Sequence, residues 1–411
     1  MRARVAIGVG AVACVFAVMF AVAVIGARRE HVARARVSGR DPVSTSAPRV
    51  APSSVPRAPA PTLHIRVVPI RSSYETASRA VSRDVGISVA LPDGHDLWLF
   101  GDTRIDQRNV AGGWDLVDFV DGSTAFETDH ARGRVPNGVE YPAATPTRFI
   151  PVPTDVYFTD GSGRPCVKGV SDAAFSARWP TGAALMPGDN SEVLVTYSEV
   201  CVVYPAGGSP QDTTEGWGYL LYNWRTEHID VGPVDVFVPH LDGAEIAPTS
   251  RFGSPVFDNG KLTLFVTACP PRYLGCVTGQ VWSVTMPATT AALNNPASYS
   301  LRLLSTDASG SWQPLGISVG RYPAGLRMVA WNSIAGNYKI YSVASLDAPW
   351  HLDRSGVLPG CSGHALFCFA LIGHPELSTA TDIVVSYFDP DSGPTGHVVI
   401  SSLPDPPGSI P

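Results

Sequence analysis

The chain reads as an all-β protein: a five-bladed β-propeller preceded by an N-terminal membrane anchor and a Pro-rich linker. Three observations predict this. Residues 86–103, 181–200, 253–269, 316–333 and 374–390 share one plan. Each runs from a short strand of small and β-branched residues, through a Pro, Gly, Asp or Asn turn, into a more apolar strand, which is a hairpin signal. Hairpins repeated on this scale mark a propeller, whose blades bury their faces against one another. Finally, residues 63–404 hold no sustained i, i+3, i+4 apolar pattern, so helices are not expected.

The elements follow in chain order. Residues 1–26 read as a signal anchor, with a cleaved signal peptide as the alternative. Arg2 and Arg4 precede an unbroken apolar run of 22 residues from Val5 to Gly26, long enough to span a bilayer. Arg28, Arg29, Arg34, Arg36 and Arg40 follow it, and such a flank tends to stay in the cytoplasm. The cysteines argue for export. Beyond Cys14 in the apolar run, they fall as Cys166 and Cys201, Cys269 and Cys276, then Cys361 and Cys368. An even count in close pairs without ligand spacing reads as three disulfides, although six cysteines permit 15 connectivities. The expected location is therefore outside the cytoplasm, anchored at the cell envelope or secreted if the segment is cleaved.

Residues 27–62 are basic and then Pro/Ser/Ala-rich. Such a stretch cannot bury enough apolar surface to offset its ordering entropy, so it reads as a tether. The propeller occupies residues 63–404 and a short tail residues 405–411. Successive hairpins start 95, 72, 63 and 58 residues apart. The excess in the first interval falls in residues 104–150, expected to wall a substrate cleft. Further strands are expected at residues 219–224, 280–286, 338–344 and 397–402. Residues 62–69 form a strand without a blade of its own, and we expect it to complete the fifth blade and close the ring.

Asp93-Gly94 sits at the tip of the first hairpin, with Asp84 nine residues before it and Asp102 eight after. Asp84 is expected to open the inner strand and Asp102 to end its partner. The two carboxylates then share one end of one hairpin, since facing residues lie about 4.5–5.5 Å apart. Glycoside hydrolysis needs such a pair, one carboxyl protonated and the other ionised, and their mutual repulsion separates the two titrations. Glu199, Asn332 and Asp389 align with Asp102, so a polar residue there also suits a turn. Asp84 has no counterpart in the other hairpins. Four weaker candidates are substrate contacts: His374 and Glu376, expected to open the innermost strand of the fifth blade, Trp179, whose ring could stack on a sugar, and Glu199, the alternative acid.

A formal charge of −6 without a Lys/Arg stripe speaks against a nucleic-acid partner. No Gly-rich phosphate loop, HExxH, GxSxG or EF-hand spacing occurs, so no cofactor or metal is expected.

Asp84-Val85-Gly86 followed by Leu97-Trp98-Leu99-Phe100-Gly101-Asp102-Thr103 resembles the opening blade of the actinobacterial endo-D-arabinanase glycoside hydrolases. Gly373-His374-Pro375-Glu376-Leu377-Ser378 with Val384-Val385-Ser386-Tyr387 is similar to that family's closing blade, and Gly253-Ser254-Pro255-Val256 also fits. The likeness spans most of residues 80–404 and is looser across 105–175. It implies a five-bladed propeller that cuts internal linkages in the D-arabinan of mycobacterial arabinogalactan and lipoarabinomannan, with Asp84 and Asp102 as the catalytic pair. A non-catalytic propeller binding envelope glycan or a protein partner is the alternative.

Overall fold

The computed structural model describes residues 67–127, 136, 138–152, 166, 174–203, 211–236, 251–268, 280–304, 316–333, 335–361 and 368–405. The expected anchor, the linker, and Cys269 with Cys276 lie outside the described residues. Among the described residues no helix is long and apolar enough to cross a membrane.

Five antiparallel four-stranded sheets form the blades. Blade 1 contains β2 (Arg79–Ala90), β3 (Asp96–Arg108), β4 (Trp114–Val120) and β5 (Ser123–Glu127). Blade 2 contains β6 (Ala174–Leu185), β7 (Glu192–Val203), β8 (Gln211–Asn223) and β9 (His228–Val236). Blade 3 is β10 (Arg251–Asp258), β11 (Lys261–Ala268), β12 (Gln280–Pro287) and β13 (Ser300–Leu303). Blade 4 is β14 (Gly316–Tyr322), β15 (Gly325–Trp331), β16 (Asn337–Val343) and β17 (His351–Val357). Blade 5 is β18 (Phe369–His374), β19 (Asp382–Asp389), β20 (His397–Pro404) and β1 (Val68–Pro69).

Period-2 alternation explains how the blades stack. In β3, Leu97 and Leu99 pack with Val193, Val195 and Tyr197 of blade 2. Trp98 and Phe100, between and beyond them, pack instead with Val384, Val398 and Ile400 of blade 5. Successive side chains leave opposite faces, so a strand buried on both sides reads as one apolar run. The same logic builds a core at each of the other three blade junctions. The first strand of every blade packs against the first strands of both neighbours, and these five strands surround the axis.

The ring closes as the sequence predicts. Val68 and Pro69 pair with Ile400 and Val399 at the outer edge of blade 5, and Ile70 N–H donates to the carbonyl of Val398 at 2.9 Å. A buried guanidinium locks the strap. Arg83 donates to the Ile70 carbonyl at 2.6 Å, to Glu75 at 3.2 Å and to the Tyr141 hydroxyl at 3.0 Å. Two expected cysteine pairs are disulfides, Cys166–Cys201 and Cys361–Cys368.

Three strand boundaries differ from expectation. Inner strand β18 ends at His374 instead of starting there, so His374 closes the innermost strand of blade 5 and Glu376 lies in the turn beyond it. Pro375 cannot donate to a ladder, and the His374 carbonyl accepts from Leu377 and Ser378 in a turn. Asp84 and Asp102 are likewise interior to β2 and β3, which continue to Arg79 and Arg108. Beyond the acids, β2 and β3 continue as a sheet with β4, whereas β5 takes the tip-side half of β3.

Candidate active site

The acids occupy two compensating bulges. Arg83 pairs with Thr103 and Val85 with Phe100, so Asp84 stands opposite the two residues Gly101 and Asp102. One step later Val85 pairs with Phe100 and Ile87 with Leu99, which leaves Gly86 as the extra residue in β2. An extra residue reverses the alternation of everything beyond it. In β3 the even positions 98 and 100 face blade 5. After the bulge Asp102 faces blade 2, where it accepts a 2.8 Å hydrogen bond from Trp179 Nε1.

Asp84 and Gly101 are fitted to each other. A β-carbon on Gly101 would lie 2.2 Å from Asp84 Oδ1 and 2.9 Å from Val85 Cγ2. The Asp84 carboxylate therefore lies against the backbone next to Asp102. Val85 has φ of 67° and Gly86 of 87°. A β-branched residue in the left-handed region costs about 1–3 kcal/mol, so the chain carries strain immediately beside Asp84.

A second acidic cluster lies along the blade 1–blade 2 seam. Arg178 and Glu199 are direct partners across β6 and β7. The Arg178 guanidinium reaches Glu199 Oε1 at 3.2 Å and both oxygens of Asp235 at 2.7 and 2.8 Å, and the Tyr197 hydroxyl donates to Asp235 at 2.7 Å. Burial of Glu199, and the Asp235 carboxylate that shares its Arg178 partner, push its carboxyl up to about 8 against the pull of Arg178. One guanidinium does not fully compensate two carboxylates. Asp235 and Arg178 escaped the sequence reading. Asp235 has no counterpart in the repeat, and the only signal for Arg178 is a cation beside Trp179.

The structure brings Asp84, Asp102 and Trp179 together, with Glu199 next along the same seam. It separates His374 and Glu376 from them. The Ser88 hydroxyl bridges His374 Nδ1 and Glu376 Oε1, and these two atoms lie 3.3 Å apart. On β2, Ser88 lies on the tip side of the Gly86 bulge and Asp84 on the other side. Glu376 and Ser88 instead line an axial cavity of about 260 Å³ with Ser254, Ser318 and Arg321. His374 is buried, 5.0 Å from the Trp98 ring centroid.

Beyond Asp102, on the same face of β3, Arg104 is held by Asp106. Its Nε lies 2.8 and 2.9 Å from the two carboxylate oxygens and its Nη2 2.6 Å from one of them. Asp106 is fully buried, whereas the Arg104 side chain is 34% exposed. Among the described residues no group of three or more His, Cys, Asp or Glu is placed to hold a metal ion.

No family model matches the chain, and no curated protein does. Among solved structures it is similar to a putative hydrolase from Bacteroides ovatus, at 13% identity over 82% of this chain and 93% of that one, with a TM-score of 0.47. A family 117 glycoside hydrolase from Zobellia galactanivorans is similar at 10% identity, covering 82% and 89%, with a TM-score of 0.45. The α-L-arabinanase of Penicillium chrysogenum, solved with arabinobiose, gives 12% identity, 84% and 99% coverage and a TM-score of 0.38. The chemistry rests on this chain's own residues.

Proposed function

We propose that this chain is an endo-acting glycoside hydrolase of D-arabinan, such as that of mycobacterial arabinogalactan and lipoarabinomannan, with Asp84 and Asp102 as its carboxylate pair. The observation that supports it is the double bulge, which sets Asp84 opposite Gly101-Asp102. Two carboxyl groups side by side supply both halves of glycoside cleavage. One gives its proton to the leaving glycosidic oxygen as the bond from the anomeric carbon breaks. The other, ionised, either bonds to that carbon or takes a proton from the water that does. The D-arabinan specificity comes from the resemblance of the opening and closing blades. The Cys166–Cys201 and Cys361–Cys368 disulfides suit an exported enzyme, held at the cell envelope by the apolar N-terminal run.

The test is to incubate the full chain with purified mycobacterial arabinogalactan and follow released oligosaccharides by mass spectrometry. The parent should release arabinose oligomers. Asp84→Asn and Asp102→Asn should each lower turnover by about 100-fold or more while melting within a few degrees of the parent. A folded parent that binds immobilised arabinan and releases nothing would make the chain a glycan-binding propeller instead.

A further inference from the structure

From its sequence position, Trp179 is a ring that could stack on a sugar. The structure gives its indole nitrogen a different partner, and we propose that Trp179 is a positioning residue for Asp102. This rests on the glycosidase reading above and deepens it by naming a group that orients one of the acid pair. Its Nε1 lies 2.8 Å from Asp102 Oδ1, within the range of charge-assisted N–H···O⁻ bonds. An indole nitrogen donates and never accepts, so the contact favours an ionised carboxylate.

The surroundings fit such a role. Asp102 sits in the β3 bulge, where Gly101 and Asp102 stand opposite Asp84. The donor arrives from the neighbouring blade, 77 residues away in sequence. The contact is held firmly at the Trp179 end. Trp179 pairs with Ser198 in the β6–β7 ladder, and Pro180 after it restricts its backbone to extended conformations. The seam beneath is fixed by Arg178, which reaches Glu199, Asp235 and the carbonyl of Pro151. The indole N–H thus fixes the orientation of the Asp102 carboxyl from across the blade junction.

Trp179→Phe separates the two roles, because it keeps an aromatic ring and deletes the N–H. With full-chain protein and arabinogalactan, kcat should fall about tenfold or more with KM within about twofold of the parent. A raised KM with unchanged kcat would show a stacking residue and overturn the proposal, as would wild-type kinetics. A spectroscopic arm needs no turnover. In the ¹⁵N-labelled protein, the indole resonance lost in Trp179→Phe identifies Trp179. It should shift with pH in the parent and stop doing so in Asp102→Asn. An indole signal indifferent to Asp102→Asn would overturn the contact itself, whatever the activity. An inactive parent whose indole signal still responds to Asp102 would instead sink the glycosidase reading, and the catalytic role of Trp179 with it. Wild-type behaviour of Trp179→Phe in an active parent sinks the positioning role alone.

Discussion

Gly101 has no side chain because Asp84 occupies the place where one would begin. A β-carbon there would meet Asp84 Oδ1 at 2.2 Å, well inside van der Waals contact. Gly101→Ala should therefore displace the Asp84 carboxylate by about an ångström, and misplacement on that scale costs about 100-fold in rate. The methyl would also press on Val85 Cγ2 at 2.9 Å, a side chain packed against the blade 1–blade 2 core, so the melting temperature should fall as well. Steady-state rates beside a thermal melt check this, and parental activity would show that the observed position of Asp84 does not matter. The strain at Val85, with φ of 67°, belongs to the same few atoms. Asp84 was legible in the sequence as an acid without a counterpart in the other hairpins. The reversal of face at Asp102 was not, because a bulge is a mismatch between two strands and neither strand alone records it.

Two buried titratable groups give strands β7 and β20 opposite responses to pH. Glu199 on β7 is raised from 4.5 to about 8. Its stabilising contribution is complete below pH 4.5 and is lost as pH rises through about 8, because the folded state keeps a proton that the unfolded chain has released. His397 on β20 is lowered from 6.5 to about 4 by burial and by the charges of Arg83 and Arg71. Its contribution is complete above pH 6.5 and is lost as pH falls through about 4. The parent curve sums the two, so variants must separate them. Glu199→Gln should gain on the parent in melting temperature between about pH 5 and 8, and His397→Gln should gain on it between about pH 6.5 and 4. Calorimetry at four pH values reads both, and parallel curves for parent and variant would remove the corresponding group. These shifts depend on what other strands place beside each residue, so the sequence held no sign of them.

The strap around the ring is a whole-molecule device. Deleting residues 63–70 would remove the outer strand of blade 5, expose the packing that Ile70 shares with Trp98 and Ile400, and take the Ile70 carbonyl from the Arg83 guanidinium. Loss of a buried Ile side chain alone costs about 2–5 kcal/mol. The melting temperature should fall by roughly 5 °C or more, and an unchanged melt would refute closure by this strand. Because Arg83 immediately precedes Asp84, turnover should fall with closure even below the melting range. The closure was legible beforehand, since a strand-like stretch without a blade and a last blade short of one strand complete each other.

By itself the sequence determined the five hairpins, the closing strand, two of the disulfides and the candidacy of Asp84 and Asp102. All of these are recorded locally, in period-2 apolar runs, turn residues and close cysteine spacing. Tertiary structure alone decided that Asp102 faces blade 2, that Trp179 gives it an N–H, and that Glu199 shares Arg178 with Asp235. It also placed His374 and Glu376 beside the axial cavity, away from the acid pair. The reason is physical. A repeat fixes how each blade folds, but a site at a blade junction is made by register shifts and by partners from the next blade, and neither leaves a trace in the strand that carries the acid.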